Sequence, residues 1–183
     1  MQLPSPSNMQ PVLLETQEPT YACFADDYLV YTAATDMLVL QNPVGNNKIL
    51  LLSRVTISGD ATAAALQDVY GWIRDTLDTG GTATNPTIRQ YNKNDPAPTG
   101  VVNLYSALPT LGLTGSVIRA GHFVFPNSTT PAFAAPEAEW TWGNRSSEIP
   151  ALYPGQQFSL SNNGNAVANG LSLYLGIEWK ERG

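Results

Sequence analysis

Charge is scarce in this chain. Asp, Glu, Lys and Arg make up 13% of its 183 residues, about half the usual share, while hydrophobic residues make up 43%. A chain so apolar is not disordered, and Ser, Thr, Asn and Gln must cover much of its surface. Bases are the scarcer sign, Lys+Arg 9 against Asp+Glu 15, for a net charge of −6 and a pI near 4.6. That balance opposes binding to nucleic acid or to an anionic membrane, where cationic side chains supply the attraction. The single cysteine, Cys23, excludes an intrachain disulfide. The opening Met1-Gln-Leu-Pro-Ser-Pro lacks the basic and apolar regions of a secretory signal, so synthesis in a reducing cytoplasm is expected. No apolar run approaches the roughly 20 residues that span a bilayer, and a soluble protein is expected.

Histidine is equally sparse. A His-based triad would have to centre on His122, yet there is no Gly-x-Ser-x-Gly elbow, and Gly121 and Phe123 to Phe125 around it read as strand. One His and one Cys supply no zinc-ligand set. Cys23, between Ala22 and Phe24, reads as a buried small hydrophobe rather than a nucleophile. No catalytic, cofactor-binding or metal residue is assigned, and no enzyme is expected.

What is present is turns and short apolar runs. The length suits one domain, and 14 Pro and 15 Gly are spread without a repeat, as between many short strands. Strand signals fall at Tyr21–Ala25, Tyr28–Ala33, Asp36–Gln41, Lys48–Ser58, Val101–Ala107, Ser116–Phe125, Ala138–Trp142, Gln157–Leu160 and Leu171–Trp179. In Lys48–Ser58, Ile49, Leu51, Val55 and Ile57 share one parity while Leu50 and Leu52 occupy the other, so its first half should be buried on both faces. Residues 82–100 read as a long loop with one short strand around Ile88 to Tyr91. Residues 61–78 fit a helical stripe as well as a strand face. Gly71 weakens a helix by about 1 kcal/mol, and with the flanking strands it favours a strand. The clearest pattern is the last, with Leu171, Leu173, Leu175, Ile177 and Trp179 on one face and Ser172, Tyr174, Gly176, Glu178 and Lys180 on the other. The series predicts an all-β fold, an antiparallel two-sheet sandwich with jelly roll the leading topology.

Other polar groups have structural explanations. Glu137 and Glu139 alternate with Ala138, Trp140 and Trp142; the pattern fits a solvated face opposite a core face better than a sugar site. Asp26-Asp27 form no catalytic pair, since neighbours on a strand point to opposite faces. Asn92, Asn94 and Asp95 lack the spacing and closing Glu of a calcium loop and read as a turn, as does Gly80-Gly81-Thr82. Asn127-Ser128-Thr129 matches a glycosylation sequon, a frequent chance match.

Residues 1–20 carry Pro4, Pro6, Pro11 and Pro19, which block a helix and withhold backbone donors from a sheet. The expectation is an extended Pro-rich arm over 1–20 and a β-sandwich domain over 21–183. Such an arm is either an ordinary loose terminus or a docking segment, and Leu3, Pro4, Pro6, Pro11, Val12, Leu13 and Leu14 are its candidate partner contacts.

Several segments carry a resemblance: Thr35-Asp36-Met37-Leu38-Val39-Leu40, Arg54 through Ala64, Gly80-Gly81-Thr82, Asn94-Asp95-Pro96-Ala97-Pro98, Trp142-Gly143-Asn144-Arg145-Ser146 and Ile177-Glu178-Trp179-Lys180-Glu181. In order and spacing they resemble a family of small β-sandwich structural proteins of tailed bacteriophages, over about residues 35–181. The chain departs from that family in its Pro-rich first 34 residues and in Tyr91-Asn92-Lys93. The resemblance implies a strand over 61–76, no catalytic residues and no cofactor. It also implies a non-enzymatic virion protein, assembled in the host cytoplasm. The specific expectation is a capsid decoration or cement protein that binds and stabilises the phage head shell, its partners the major capsid protein or other virion subunits and copies of itself, a homotrimer being favoured. The alternative, on the strength of four Trp and eight Tyr, is a carbohydrate-binding module or a tail- or head-fibre adaptor subunit.

Overall fold

The computed structural model describes residues 18–29, 36–125, 137–143, 148–164 and 170–183. Among them the chain forms β1 (Thr20–Leu29), β2 (Asp36–Gln41), β3 (Ile49–Ala61), β4 (Ala65–Arg74), β5 (Thr82–Thr84), β6 (Ile88–Gln90), β7 (Val101–Ala107), β8 (Thr114–Phe125), β9 (Ala138–Thr141), β10 (Ala151–Leu152), β11 (Gln157–Ser161) and β12 (Leu171–Arg182). They make two antiparallel sheets packed face to face, as the sequence pattern predicts. Sheet A runs β10-β3-β12-β1-β6, with β9 also on β3, and sheet B runs β5-β7-β2-β11-β4-β8.

The pairing is nested. β1 pairs with β12, β2 with β11, β3 with β9 and β10, and β4 with β8. The chain is thus one long antiparallel hairpin whose successive pairs alternate between the sheets, and its tip carries the insertion β5–β7. Through that insertion β7 adds to β2 and β6 to β1.

The core lies between the sheets. Leu171, Leu173, Leu175, Ile177 and Trp179 of β12 are all buried, and they meet Phe158 and Leu160 of β11 with Met37, Leu38 and Leu40 of β2 in one apolar cluster. Each such side chain fully removed from water contributes roughly 1.5–3 kcal/mol. Tyr21 stacks on Trp179 with ring centroids 5.7 Å apart. Period-2 alternation therefore reads correctly on β12. On β3 it does not carry through, because the register with β12 slips at Ser53. Leu50 and Leu52 face the core before that bulge and Val55 and Ile57 after it. The bulge moves the inward parity by one residue, so Ile49 and Leu51 do not share a face with Val55 and Ile57. Leu50, Leu51 and Leu52 are nonetheless all buried, as expected of a stretch covered on both sides.

The ambiguous stretch 61–78 holds strand β4. Gly71 fits tightly there, since the rings of Phe158 and Trp140 lie 3.1 and 3.2 Å from where a Cβ would sit and would have to yield by a few tenths of an ångström to a side chain. The run expected at Tyr21–Ala25 and the start of that expected at Tyr28–Ala33 are continuous in β1, which shifts register between Ala25 and Tyr28, and residues 30–33 lie outside the described residues. The 82–100 segment contains the expected strand near Ile88 and a further one, β5, too short and polar to show a pattern.

Candidate assembly surface

β11 departs from a simple sandwich. Phe158 and Leu160 point into the core, so Gln157, Ser159 and Ser161 lie on the opposite face of sheet B, where alternation predicts solvent. All three are buried. Over the Gln157 end of that face lies a strap made of two segments on either side of the insertion. Thr79 and Thr110 exchange backbone hydrogen bonds of 3.0 and 2.8 Å, and Asp75 N–H donates to the Leu113 carbonyl at 2.9 Å. Leu113 N–H donates to Thr76 Oγ1 at 2.8 Å. Gly81, at φ 74°, turns the chain where Ala107 O and the Pro109 backbone lie about 3 Å from a would-be Cβ, a conformation and a clearance only glycine allows.

Beneath the strap sits a buried polar cluster. Arg74 Nε and Nη2 donate to Asp36 Oδ2 and Oδ1 at 2.5 and 2.7 Å, a fork-to-fork pair with both side chains out of water. Arg74 also stands 5.5 Å over the Trp72 ring. The Asp78 backbone N–H donates to Gln157 Oε1 at 2.7 Å, and Gln157 Nε2 donates to Ser159 Oγ at 2.8 Å. The Asp78 side chain accepts from Gly112 N–H at 2.8 Å through Oδ1, while Oδ2 finds no partner among the described residues. The guanidinium contacts Asp36 alone, and Asp78 lies close enough to feel both charges without pairing with either. Burial, with the Asp36 charge adding, raises the Asp78 carboxyl above its ordinary range. Burial, with Asp78 and Asp36 adding, pushes Tyr105 up to about 12.

That imbalance has a measurable sign. An acid whose folded pKa exceeds its unfolded value, about 3.9 for Asp, binds a proton on folding. Its contribution is most favourable below the unfolded value and declines as pH rises through the folded one. Replacing Asp78 with Asn, which can still accept from Gly112, should flatten the loss of stability between mildly acidic and neutral pH in denaturant titrations. A slope identical to that of the parent protein would mean that Asp78 carries its charge at no cost.

The strap braced by this cluster presents Leu108, Leu111 and Leu113 to solvent, at 52%, 40% and 69% exposure. These leucines are the site that the sequence reading missed. Their only local signal was the apolar Leu108-Pro109-Thr110-Leu111-Gly112-Leu113 between two strand runs.

The residues singled out in the sequence are placed as follows. Leu3, Pro4, Pro6, Pro11, Val12, Leu13 and Leu14 lie outside the described residues, as does Asn127-Ser128-Thr129. At the end of the expected arm, β1 starts at Thr20, Glu181 N–H donates to the Pro19 carbonyl at 3.1 Å, and Arg182 pairs with Glu18. Cys23 is fully buried, and desolvation pushes its thiol up to about 11, which removes it as a nucleophile. His122 is exposed on β8 and bonded through Nδ1 to Asp68 of β4. Ala138, Trp140 and Trp142 pack on the core as expected, and Glu139 reaches Arg54 at 3.7 Å on the other side. The 92–95 turn closes through Asp95 N–H to the Asn92 carbonyl at 3.0 Å and Asn94 N–H to Asn92 Oδ1 at 3.1 Å. Among the described residues no group of three or more His, Cys, Asp or Glu is placed to hold a metal ion. Among the described residues the large exposed aromatics are Phe24, Tyr91, Tyr153 and Tyr174, with no tryptophan among them.

No family model matches this chain, and neither a curated protein nor a solved structure is significantly similar to it.

Proposed function

We propose that this protein is a non-enzymatic structural component of a tailed-phage virion, a decoration or cement protein that docks on the head shell as a homo-oligomer. The observation that carries the reading is the strap. A fully buried ion pair and a chain of buried amides hold three leucines in water, and exposed apolar patches on a braced scaffold mark protein–protein contact sites. The sparsely charged surface supports it too, because interface cores are depleted in charged residues. The nested strand order supports a jelly roll, an architecture shared by viral capsid proteins and lectins. The lectin-like alternative loses its best stacking candidates, since Trp179 is buried and none of the other three tryptophans is exposed.

The test is particle occupancy. Replacing Leu108, Leu111 and Leu113 together with Ser should lower incorporation into heads several-fold while the melting temperature stays close to that of the parent, because these side chains contribute little to the core. Removing residues 1–17, a cut that spares the Glu18–Arg182 pair and β1, should act in the same direction if the arm docks on an adjoining subunit. Undiminished occupancy of both variants would dismiss this surface and the arm alike.

A further inference from the structure

The edges of the two sheets are unequal. Sheet B ends on β5, of three residues, and sheet A on β6, of three, and on β9 and β10, of four and two. Very short edge strands are a common protection against unwanted pairing. β8, the remaining edge of sheet B, has 12 residues. It carries neither Pro nor Lys. Of its two ionisable residues, Arg119 lies 5.9 Å over the Trp142 ring and His122 is bonded to Asp68. Among the described residues nothing pairs with its outer side. Irregularities interrupt the β4–β8 register near Trp72 and Arg74, so the regular stretch of β8 is Arg119–Phe125, opposite Gly71 to Ala65. Along it Val124 and its cross-strand neighbour Leu66 stand 60% and 58% exposed.

We propose that β8 is a homotypic docking edge. Two copies of this chain pair β8 to β8, antiparallel and about a two-fold axis, so that sheet B continues from one copy into the other. The inventory of edges selects the occupant. A partner strand must match the length of the regular stretch; among the described residues the outer side of β1 beyond Cys23 is also open, but the irregularity between Ala25 and Tyr28 breaks it, which leaves β8 as the one regular edge of that length that a second copy offers. Head-to-tail association, as a three-fold ring requires, would set β8 against an edge strand of two to four residues or against the interrupted side of β1. A two-fold contact also closes on itself, whereas a heterologous one propagates. The register follows from the same stretch. Full pairing of Arg119–Phe125 with itself centres on His122, so Ala120 faces Val124 of the second copy. Across the joined sheet the side chains then run Asp68, His122, His122, Asp68, so that each imidazole keeps its bond to its own carboxylate and no acid faces an acid. This inference rests on the sheet edge and stands apart from the virion reading. A single strand pair is smaller than a standard interface of about 800 Å² per partner, so the contact is expected to be weak in solution and reinforced wherever copies are held close together.

Sedimentation velocity over a wide concentration range, with hydrogen exchange of the β8 amides, tests it on the full chain. The expected result is a concentration-dependent dimer whose formation slows exchange in Arg119–Phe125. His122→Lys should abolish the dimer without changing the melting temperature, because like charges then meet on the axis while the Asp68 contact survives. His122→Cys should crosslink under mild oxidation, since a residue facing itself across an antiparallel pair lies about 4.5–5.5 Å away, within disulfide reach. Cys23 is buried and silent. Val124→Cys, facing Ala120 of the second copy, should not crosslink. A monomer at every concentration, β8 amides protected equally at all concentrations by the chain's own residues or a different extended partner, or a dimer indifferent to His122→Lys would each overturn the proposal.

Discussion

Replacing Glu181 with Ala should lower the stability of the folded chain by about 3–5 kcal/mol, the range for breaking a buried ion pair from one side. Glu181, next to last in β12, lies on the core-facing parity one step beyond Trp179, and its side chain is fully out of water. Its Oε1 accepts from Gly100 N–H at 3.0 Å, from Thr99 N–H at 2.8 Å and from Trp179 Nε1 at 3.3 Å. Its Oε2 accepts from Thr99 Oγ1 at 2.8 Å and Lys48 Nζ at 3.0 Å. One carboxylate thereby ties the loop before β7 and the start of β3 to the C-terminal strand. Ala would leave those donors without an acceptor. Burial pushes this carboxyl up, but the donors from Gly100, Thr99 and Lys48 outweigh it and hold the pKa below the ordinary value. The contribution is therefore fully present above the unfolded value, about 4.3, and disappears as pH falls through the lower folded one. Acid unfolding of the parent should be steep in that window and shallower in Glu181→Gln. Urea titrations of the three proteins across acidic pH would measure both effects, and a loss of less than about 1 kcal/mol in Glu181→Ala would show that the loop holds without it.

Arg74→Met should be about as damaging, at roughly 3–5 kcal/mol, for a different reason. The variant keeps most of the side-chain volume but takes the guanidinium away from the Asp36 carboxylate, which is wholly buried and close to Asp78. The physical cause lies in a buried negative charge that has lost its guanidinium, so removing the charge as well should repair the damage. The double variant Asp36→Leu/Arg74→Met is expected to recover most of the loss, because well-packed apolar pairs of similar volume often replace buried ion pairs without penalty. Recovery in the double variant separates electrostatics from packing. A double variant as unstable as the single would place the effect in the shape of the strap.

What the sequence made legible was whatever depended on neighbours along the chain. Alternation in Leu171–Trp179 identified β12 and its core face, and Ala138, Trp140 and Trp142 declared theirs by parity against Glu137 and Glu139. Glu181 continues the β12 parity, but a charge in that position reads as the end of a pattern, and its acceptor role depends on donors 81 and 82 residues away. The strap was illegible for the same reason. Gln157 and Ser159 alternate with apolar residues as solvent-facing groups would, and only the return of the chain over sheet B, with Asp78 bonded to Gln157 across 79 residues, buries them. Asp36 and Arg74, 38 residues apart, give no local sign of meeting. Ser53 shows the remaining gap, since a bulge is set by how two strands close on each other, and the parity shift it leaves in β3 is hidden by Ile49 and Leu51, which are apolar on the other face.

The central claim, that this chain decorates a phage head, is tested most directly by locating it on intact particles. Antibody raised against the purified protein and detected by immunogold labelling of whole virions should mark the head at many positions over the shell. Label confined to the tail tip, or particles without label, would contradict the account.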